Sequence, residues 1–382
     1  MIHRDRLLET FTHLVGIDSV SKEEGRICRE ISEILESMGA ETFVDNAGEK
    51  TGSNTGNLIA RFKGNAKCPA LLINAHMDTV NPGKGISVIL KDGILTSDGT
   101  TILGADDKSA IAIIIETIRT LQENNIEYGP LEIVFTTCEE IGLLGAKHLD
   151  YSLITANYGY TLDAADTDGI VTRAPAANRI EFKIHGKDAH AGAAPEKGIN
   201  AICLASKAIA VLDIGRIDHE TTCNIGIIEG GVATNIVPGM VAVKGEARSH
   251  DKEKLKKITA EIVSSFKTVV DNYKNSVSDD ELPCLEISIE NDFPLTNIPD
   301  NTPVVALARK AAKNLGRNMT SKTTGSGSDA NIFFEKGIIT GVLGTGMRNV
   351  HTVRESIQLD DMVKTTQLLL EIIRIHSIDR PR

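Results

Sequence analysis

The stretch Leu71-Leu-Ile-Asn-Ala-His-Met-Asp-Thr-Val80 constrains the fold of this chain more than any other. Its short apolar run reads as a buried strand, and it ends in a histidine followed two residues later by a carboxylate. Side chains of a strand alternate between faces, so His76 and Asp78 point the same way at the C-terminal mouth. In α/β sheets that mouth is where ligand sites are built. One buried histidine bonded to a nearby aspartate is also an ordinary core arrangement. The pair gains meaning only if metal-type residues arrive at other strand ends.

The surrounding pattern supplies those ends. Helical periodicity runs over residues 4–16 and 23–38, with Ser21 as the expected N-cap of the second helix and Glu24 three residues on. Strands are expected at Ala40–Asp45, Gly56–Phe62, Ile86–Leu90, Ile94–Thr96, Leu131–Thr137 and Tyr158–Leu162, and a long apolar helix from Ala110 to about Leu121. Strands alternating with helices give an α/β fold with a mixed or parallel sheet and helices on both faces. From Asn178 the expected order is strand, helix, strand, strand, helix, strand, the split βαβ (ferredoxin-like) arrangement of one sheet and two helices. The α/β character returns after Phe293-Pro294. We therefore expect two domains: a larger one from residues 1–175 and 293–382, and a smaller one, 176–292, inserted into it.

The bulk numbers exclude some classes. A length of 382 residues suits two or three domains. A formal net charge of −11 disfavours nucleic acid or an anionic membrane as partner. The six cysteines form no Cys-x-x-Cys pair and read as reduced core residues of a cytoplasmic protein. The first residues are charged and amphipathic rather than a signal peptide, and no apolar run approaches a membrane span.

Four further segments could join His76. Asp106 is the first of two aspartates ahead of a helix, where the helix dipole alone would favour them. Glu139-Glu140 follows a strongly apolar strand, and adjacent glutamates at a partly buried strand end repel unless a cation or proton neutralises them. Asp163 ends the next strand and could equally be a turn residue. His351 lies in the glycine-rich loop after another apolar strand, where a lone histidine is usually just polar surface. Together they offer nitrogen and hard oxygen donors without thiolate, a set that suits Zn2+ in a catalytic site.

Ala75-His-Met-Asp-Thr-Val80, Gly104-Ala-Asp-Asp-Lys108, Cys138-Glu-Glu-Ile-Gly142, Leu162-Asp163 and Val350-His351 occur in an order and with identities that resemble the metal-site segments of the M20 co-catalytic zinc metallopeptidases. Within that family the chain is most similar to the peptidase T (tripeptide aminopeptidase) branch, and the resemblance spans essentially the whole chain. It implies a catalytic domain with an inserted lid and dimerisation domain. It also implies two zinc ions per chain, replaceable by Mn2+ or Co2+. Asp106 would bridge them, His76 and Asp163 would complete one ligand set, and Glu140 and His351 the other. Asp78 would orient His76, and the Asp106–Asp107 peptide would be cis. Glu139 would be the general base. His190, in Lys187-Asp-Ala-His-Ala-Gly192, would stabilise the oxyanion. Asn235 and Arg248 would anchor substrate, a guanidinium being suited to a carboxylate. The turn Gly325-Ser-Gly-Ser-Asp-Ala-Asn331 lacks the Lys-Ser/Thr ending of a phosphate loop. It resembles the family's pocket-bordering turn, with a departure from the usual Gly-Gly-Thr-Asp.

The implied function is cleavage of the N-terminal residue from short peptides, most specifically tripeptides, by a cytoplasmic enzyme that pairs through its inserted domain. The alternative keeps the metals and changes the amide: a dipeptidase, carboxypeptidase or N-acyl-amino-acid deacylase. A non-catalytic binding protein on the same scaffold would have lost the base or a ligand, and all are present. A dinucleotide-binding protein fails for want of a Gly-x-Gly-x-x-Gly turn after the first strands.

Overall fold

The computed structural model describes residues 2–274 and 281–378. These divide into two compact units, one from the described parts of Met1–Arg173, Thr296–Thr324 and Ser328–Arg382, the other from Ala174–Leu295 with Gly325–Gly327.

The first unit is built on a nine-stranded mixed sheet. Its order is Glu41–Val44, Leu58–Phe62, Leu131–Thr136, Leu71–His76, Tyr158–Ala164, Ile339–Gly344, Gly169–Ala174 and Thr296–Asn297, with Thr320–Thr323 also paired to Gly169–Ala174. The four central strands, from Leu131–Thr136 to Ile339–Gly344, run parallel. The strands outside them, Leu58–Phe62 and Gly169–Ala174, pair antiparallel to this block. Parallel strands are covered on both faces and so read as continuous apolar runs. In Leu71–His76, Leu71, Ile73 and Ala75 enter one core, while Leu72 enters a second core with Ile59, Val134 and Phe333.

The helix Ala105–Glu123 packs on the strand Leu71–His76 and against the helices Arg4–Val15 and Leu359–Ile378. Ile111, Ile113, Ile114, Ile115 and Ile118 on it are fully buried, each contributing roughly 1.5–3 kcal/mol. Glu116 is buried there as well, and Arg6 meets it through Nε (2.7 Å) and Nη2 (2.9 Å). A buried carboxylate needs such a partner, and this one ties the first helix to the central one.

A second, four-stranded sheet links two loops that matter below. Its order is Met347–Arg348, Ser356–Gln358, Ile94–Thr96, Ile89–Lys91. Met347–Arg348 and Ser356–Gln358 form an antiparallel hairpin, and His351 sits in its loop.

The second unit is an antiparallel five-stranded sheet, ordered Gly215–Arg216, Thr221–Gly230, Met240–Ser249, Ala176–His185, Cys284–Phe293. The helices Ala201–Ala210 and Lys252–Lys274 pack on it, and their core includes a parallel stack of Phe182 on Phe266 with centroids 3.9 Å apart. The long elements follow the strand-helix-strand-strand-helix-strand order expected from sequence. Among the described residues no helix is long and apolar enough to cross a membrane.

Several local expectations change. Ser21 is not an N-cap: the helix is Gly25–Ser37, preceded by Glu24 with no side-chain cap bond, and Asn54 Oδ1 accepts the Gly25 amide at 2.6 Å. Residues 20 and 21 are drawn instead to the strand-end segment, through a bridge of Val20 to Thr79 and a bond from Ser21 N to Thr79 O (3.3 Å). The strand expected at Ile86–Leu90 is the short Ile89–Lys91, and Gly169–Ala174 is a sheet strand that its mixed pattern hid. The turn Gly325–Asn331 runs into a short helix, Asp329–Glu335, whose N-terminus carries a capping box between Ser328 and Asn331.

Candidate metal centre

The C-terminal ends of the parallel strands gather the residues singled out in sequence. His76 is the last residue of Leu71–His76 and is 3% exposed. Glu139 and Glu140 lie in the turn beyond the neighbouring Leu131–Thr136, and Asp163 is the penultimate residue of Tyr158–Ala164. Asp106 lies at the start of Ala105–Glu123 with φ −82° and ψ 102°, outside helical values, and the Asp106–Asp107 peptide is cis. His351 reaches in from its hairpin loop with a left-handed backbone, φ 61°.

Asp106 is the hub. Its Oδ1 is 3.0 Å from His76 Nε2 and its Oδ2 is 3.2 Å from His351 Nε2, while Glu140 Oε2 is 3.0 Å from the same His351 nitrogen. Donor atoms of His76, Asp106 and Glu140 lie within 4.8 Å of one another, and so do those of Asp106, Asp107 and Asp163. The five residues expected as ligands are thus brought together around one carboxylate.

Crowding carboxylates in a dry site perturbs their protonation. Burial disfavours the charged form of Asp106, but hydrogen bonds from His351 and His76 override it and hold the carboxyl well below the usual range. Burial also works against a charged ring at His76, and bonds to Asp106 and Asp78 outweigh it, raising His76 well above its ordinary value. His351 is pushed up to about 10 by its bonds to Asp106 and Glu140. Glu139 and Asp163 are raised well above the usual carboxylate range, chiefly by burial, and Glu140 is raised for the same reason. Protons therefore accumulate where carboxylates converge.

The support for His76 takes a form the sequence did not suggest. Its Nδ1 meets the backbone carbonyl of Asp78 at 2.9 Å, whereas the Asp78 carboxylate is 3.5 Å away. That carboxylate accepts the amides of Glu139 (2.9 Å) and Glu140 (3.2 Å) and the hydroxyl of Ser21 (2.6 Å). The turn is further pinned by Glu24, which accepts the Cys138 amide at 2.8 Å. Cys138 has φ 54°, and this turn swings Glu139 and Glu140 back toward the strand ends.

His190, Asn235 and Arg248 lie in the second unit. The pair Ala189–His190 bonds antiparallel to Ile236–Val237, and Ala191 N donates to Asn235 O at 2.9 Å, which sets His190 beside Asn235. The amides of Gly192 (3.2 Å) and Ala193 (3.1 Å) donate to His190 Nδ1. In the neutral ring the proton therefore sits on Nε2. Arg248 donates to Gly325 O (3.1 Å) and Glu246 Oε2 (3.0 Å), and its Nε is buried without a hydrogen-bond partner.

Sequence reasoning assigned no role to Asp107 or Glu355. Asp107 is fully buried, and its Oδ2 accepts the His76 amide at 3.2 Å. Glu355 is 1% exposed and accepts three backbone amides near Asp106. No local pattern marks a carboxylate at the end of a hairpin loop as buried, so the role of Glu355 was not readable.

Comparison with known proteins agrees with this geometry. The family model described as peptidase family M20/M25/M40 matches residues 72–375. YqjE of Bacillus subtilis (strain 168) is 41% identical over 374 residues, covering 98% of this chain and 99% of that protein. The crystal structure of aminopeptidase PepT from Bacillus cereus is 40% identical with a TM-score of 0.87, covering 99% of this chain and 100% of that one. A tripeptidase structure from Staphylococcus aureus is 37% identical with a TM-score of 0.91 and the same coverage. By sequence over most of its length, and by fold over nearly all of it, the chain belongs to peptidase family M20/M25/M40.

Proposed function

We propose that the protein is a dizinc aminopeptidase that releases the N-terminal residue of tripeptides. The observation that carries this reading is the Asp106 carboxylate, with one oxygen facing His76 and the other facing His351 beside Glu140.

The residues fit a pair of divalent cations. Glu140 Oε1 and Asp107 Oδ1 are buried without hydrogen-bond partners, as expected of oxygens aimed at a cation rather than at a donor. The donor set is imidazole and carboxylate, and Cys138 Sγ is engaged 3.3 Å from Glu24. His76 and Asp163 would hold one ion, Glu140 and His351 the other, with Asp106 between them. Zn2+ suits this set, and Mn2+ or Co2+ match the same donors.

Two such cations, when bound, polarise the scissile carbonyl and acidify the attacking water. Glu139 is then the base. Its backbone is fixed by Asp78, and burial raises its carboxyl, which suits a group that takes a proton from water and returns it to the leaving amine. His190, with Nδ1 occupied by two amides, has an Nε2–H to donate to developing negative charge. Arg248 and Asn235 would hold the substrate's far end.

We also read the enzyme as a cytoplasmic homodimer. Its six cysteines form no disulfide. Among the described residues the strand Thr221–Gly230 pairs on its outer side at Thr222 and Cys223, with Thr221 O accepting the Ile217 amide (3.0 Å), and Ile227 (48% exposed) and Ile228 (49% exposed) lie beyond that pairing. A second copy would cover that stretch. Sedimentation tests this: a monomer at micromolar concentration contradicts it.

The substrate reading is tested with tripeptides bearing free, N-acetylated and C-amidated ends. Cleavage that requires the free amino end supports an aminopeptidase. Indifference to N-acetylation overturns it in favour of another amidohydrolase of the family.

A further inference from the structure

Two separate turns present the residues that face each other across the metal centre. Asp106 follows the turn Leu103-Gly104-Ala105, in which Gly104 is left-handed with φ 74°. His351 sits in the hairpin loop 349–355. That loop is closed on itself by bonds from Thr352 Oγ1 to Asn349 O (2.7 Å) and from Glu355 N to Thr352 O (3.0 Å). Helix and hairpin belong to different parts of the sequence, yet His351 Nε2 must stand 3.2 Å from Asp106 Oδ2.

The join between the turns is one side chain. Glu355 Oε2 accepts the amides of Leu103 and Gly104, each at 2.8 Å, and Oε1 accepts the amide of Asp106 itself at 3.0 Å. The carboxylate is 1% exposed. A few residues away the strand Ser356–Gln358 pairs with Ile94–Thr96, so the two chain segments are stitched by backbone on one side and by Glu355 on the other. We propose that Glu355 is a positioning residue for the metal centre, a clasp that fixes the turn presenting Asp106 relative to the loop presenting His351.

An ionised carboxylate accepts at both oxygens, and three converging N–H groups use that capacity. A neutral amide of the same size offers one acceptor oxygen, and its NH2 faces an N–H donor. The Glu355→Gln variant therefore keeps the shape but sets its NH2 against at least one of the three amides, which weakens the clasp. Groups that orient metal ligands typically change metal affinity about 10–100-fold when removed. The proposal rests on the two-cation reading, so the test begins with the wild-type protein.

Zn2+ affinity is measured by competition with a chromophoric chelator for wild type and Glu355→Gln, beside urea unfolding of both in the metal-free state. The expected result is two tight sites in wild type and affinity weakened about 10–100-fold in the folded variant. Equal affinity in the two proteins overturns the clasp while leaving the metal reading intact, and it does so whether or not the variant is less stable. No zinc binding by wild type removes the metal reading itself. The positioning role falls with it. If the variant does not fold, hydrogen exchange on the wild-type protein decides. Slow exchange at the amides of Leu103, Gly104 and Asp106 supports the clasp, and rapid exchange there overturns it.

Discussion

The carboxylate of Asp78 accepts the backbone amide of Glu139 at 2.9 Å. One residue just past a strand end thus reaches across to the turn beyond the neighbouring strand. Its backbone carbonyl meanwhile receives His76 Nδ1 at 2.9 Å. Asp78 therefore holds His76 with its main chain and the turn bearing Glu139 with its side chain. One residue thus couples the positions of the proposed ligand and the proposed base, beside the anchors that Glu24 and Asp107 supply.

If Glu139 carries the proton, its amide analogue cannot. Glu139→Gln should keep the full metal content and lose about 10²–10⁴-fold in kcat. Metal analysis beside steady-state kinetics reads both, and a variant near the wild-type rate would contradict the base assignment.

Asp78→Asn leaves the main-chain bond to His76 in place and should act through the turn, where the side chain accepts the amides of Glu139 and Glu140. The new NH2 faces amide donors where an acceptor is needed, so kcat falls and zinc affinity drops about 10–100-fold. Ser21→Ala removes only one of the three bonds to that carboxylate and should have the smaller effect on both quantities. Equal effects would place the importance of Asp78 elsewhere.

Protons and cations compete for the site, and the sign follows from His351. Its value rises from the ordinary 6.5 to about 10 in the metal-free fold. The protonated ring then stabilises that fold fully below pH 6.5, and the contribution is lost as pH rises through about 10. A cation must displace this proton, so zinc affinity should climb with pH across the same window. Calorimetry in buffers of different ionisation enthalpy counts the protons released, and a count of zero at pH 7 would contradict the protonated ring.

In the second unit the stack of Phe182 on Phe266 is fully buried. Phe266→Ala should destabilise the protein by about 3–5 kcal/mol, with Phe266→Leu costing less. Chemical denaturation measures both, and equal losses would mean that the cavity is not the cause.

Much of this was legible in the sequence. Buried parallel strands advertise themselves by unbroken apolar runs, so Leu71–His76 and Leu131–Thr136 were found, and with them the positions of His76 and Glu139-Glu140. The helix expected from Ala110 extends back through Lys108 and Ser109, while Asp106 and Asp107 keep non-helical backbone angles, and all four of these polar residues are buried. Gly169–Ala174 was missed because Thr172 and Arg173 interrupt its apolar pattern. Ser21 fitted a capping box by spacing, yet its hydroxyl serves Asp78, fifty-seven residues away. Glu355 was invisible for the same reason. Its partners are backbone amides some 250 residues away in sequence, and main-chain donors leave no residue-type signal.

In the proposed mechanism Asp106 sits between two metal ions that drive peptide cleavage. Metal analysis of the purified protein, paired with hydrolysis of a free-ended tripeptide before and after chelation, tests it most directly. The expected result is about two divalent ions per chain, with activity lost on chelation and restored by Zn2+. Fewer than about one ion per chain, with no cleavage under any metal, would contradict it.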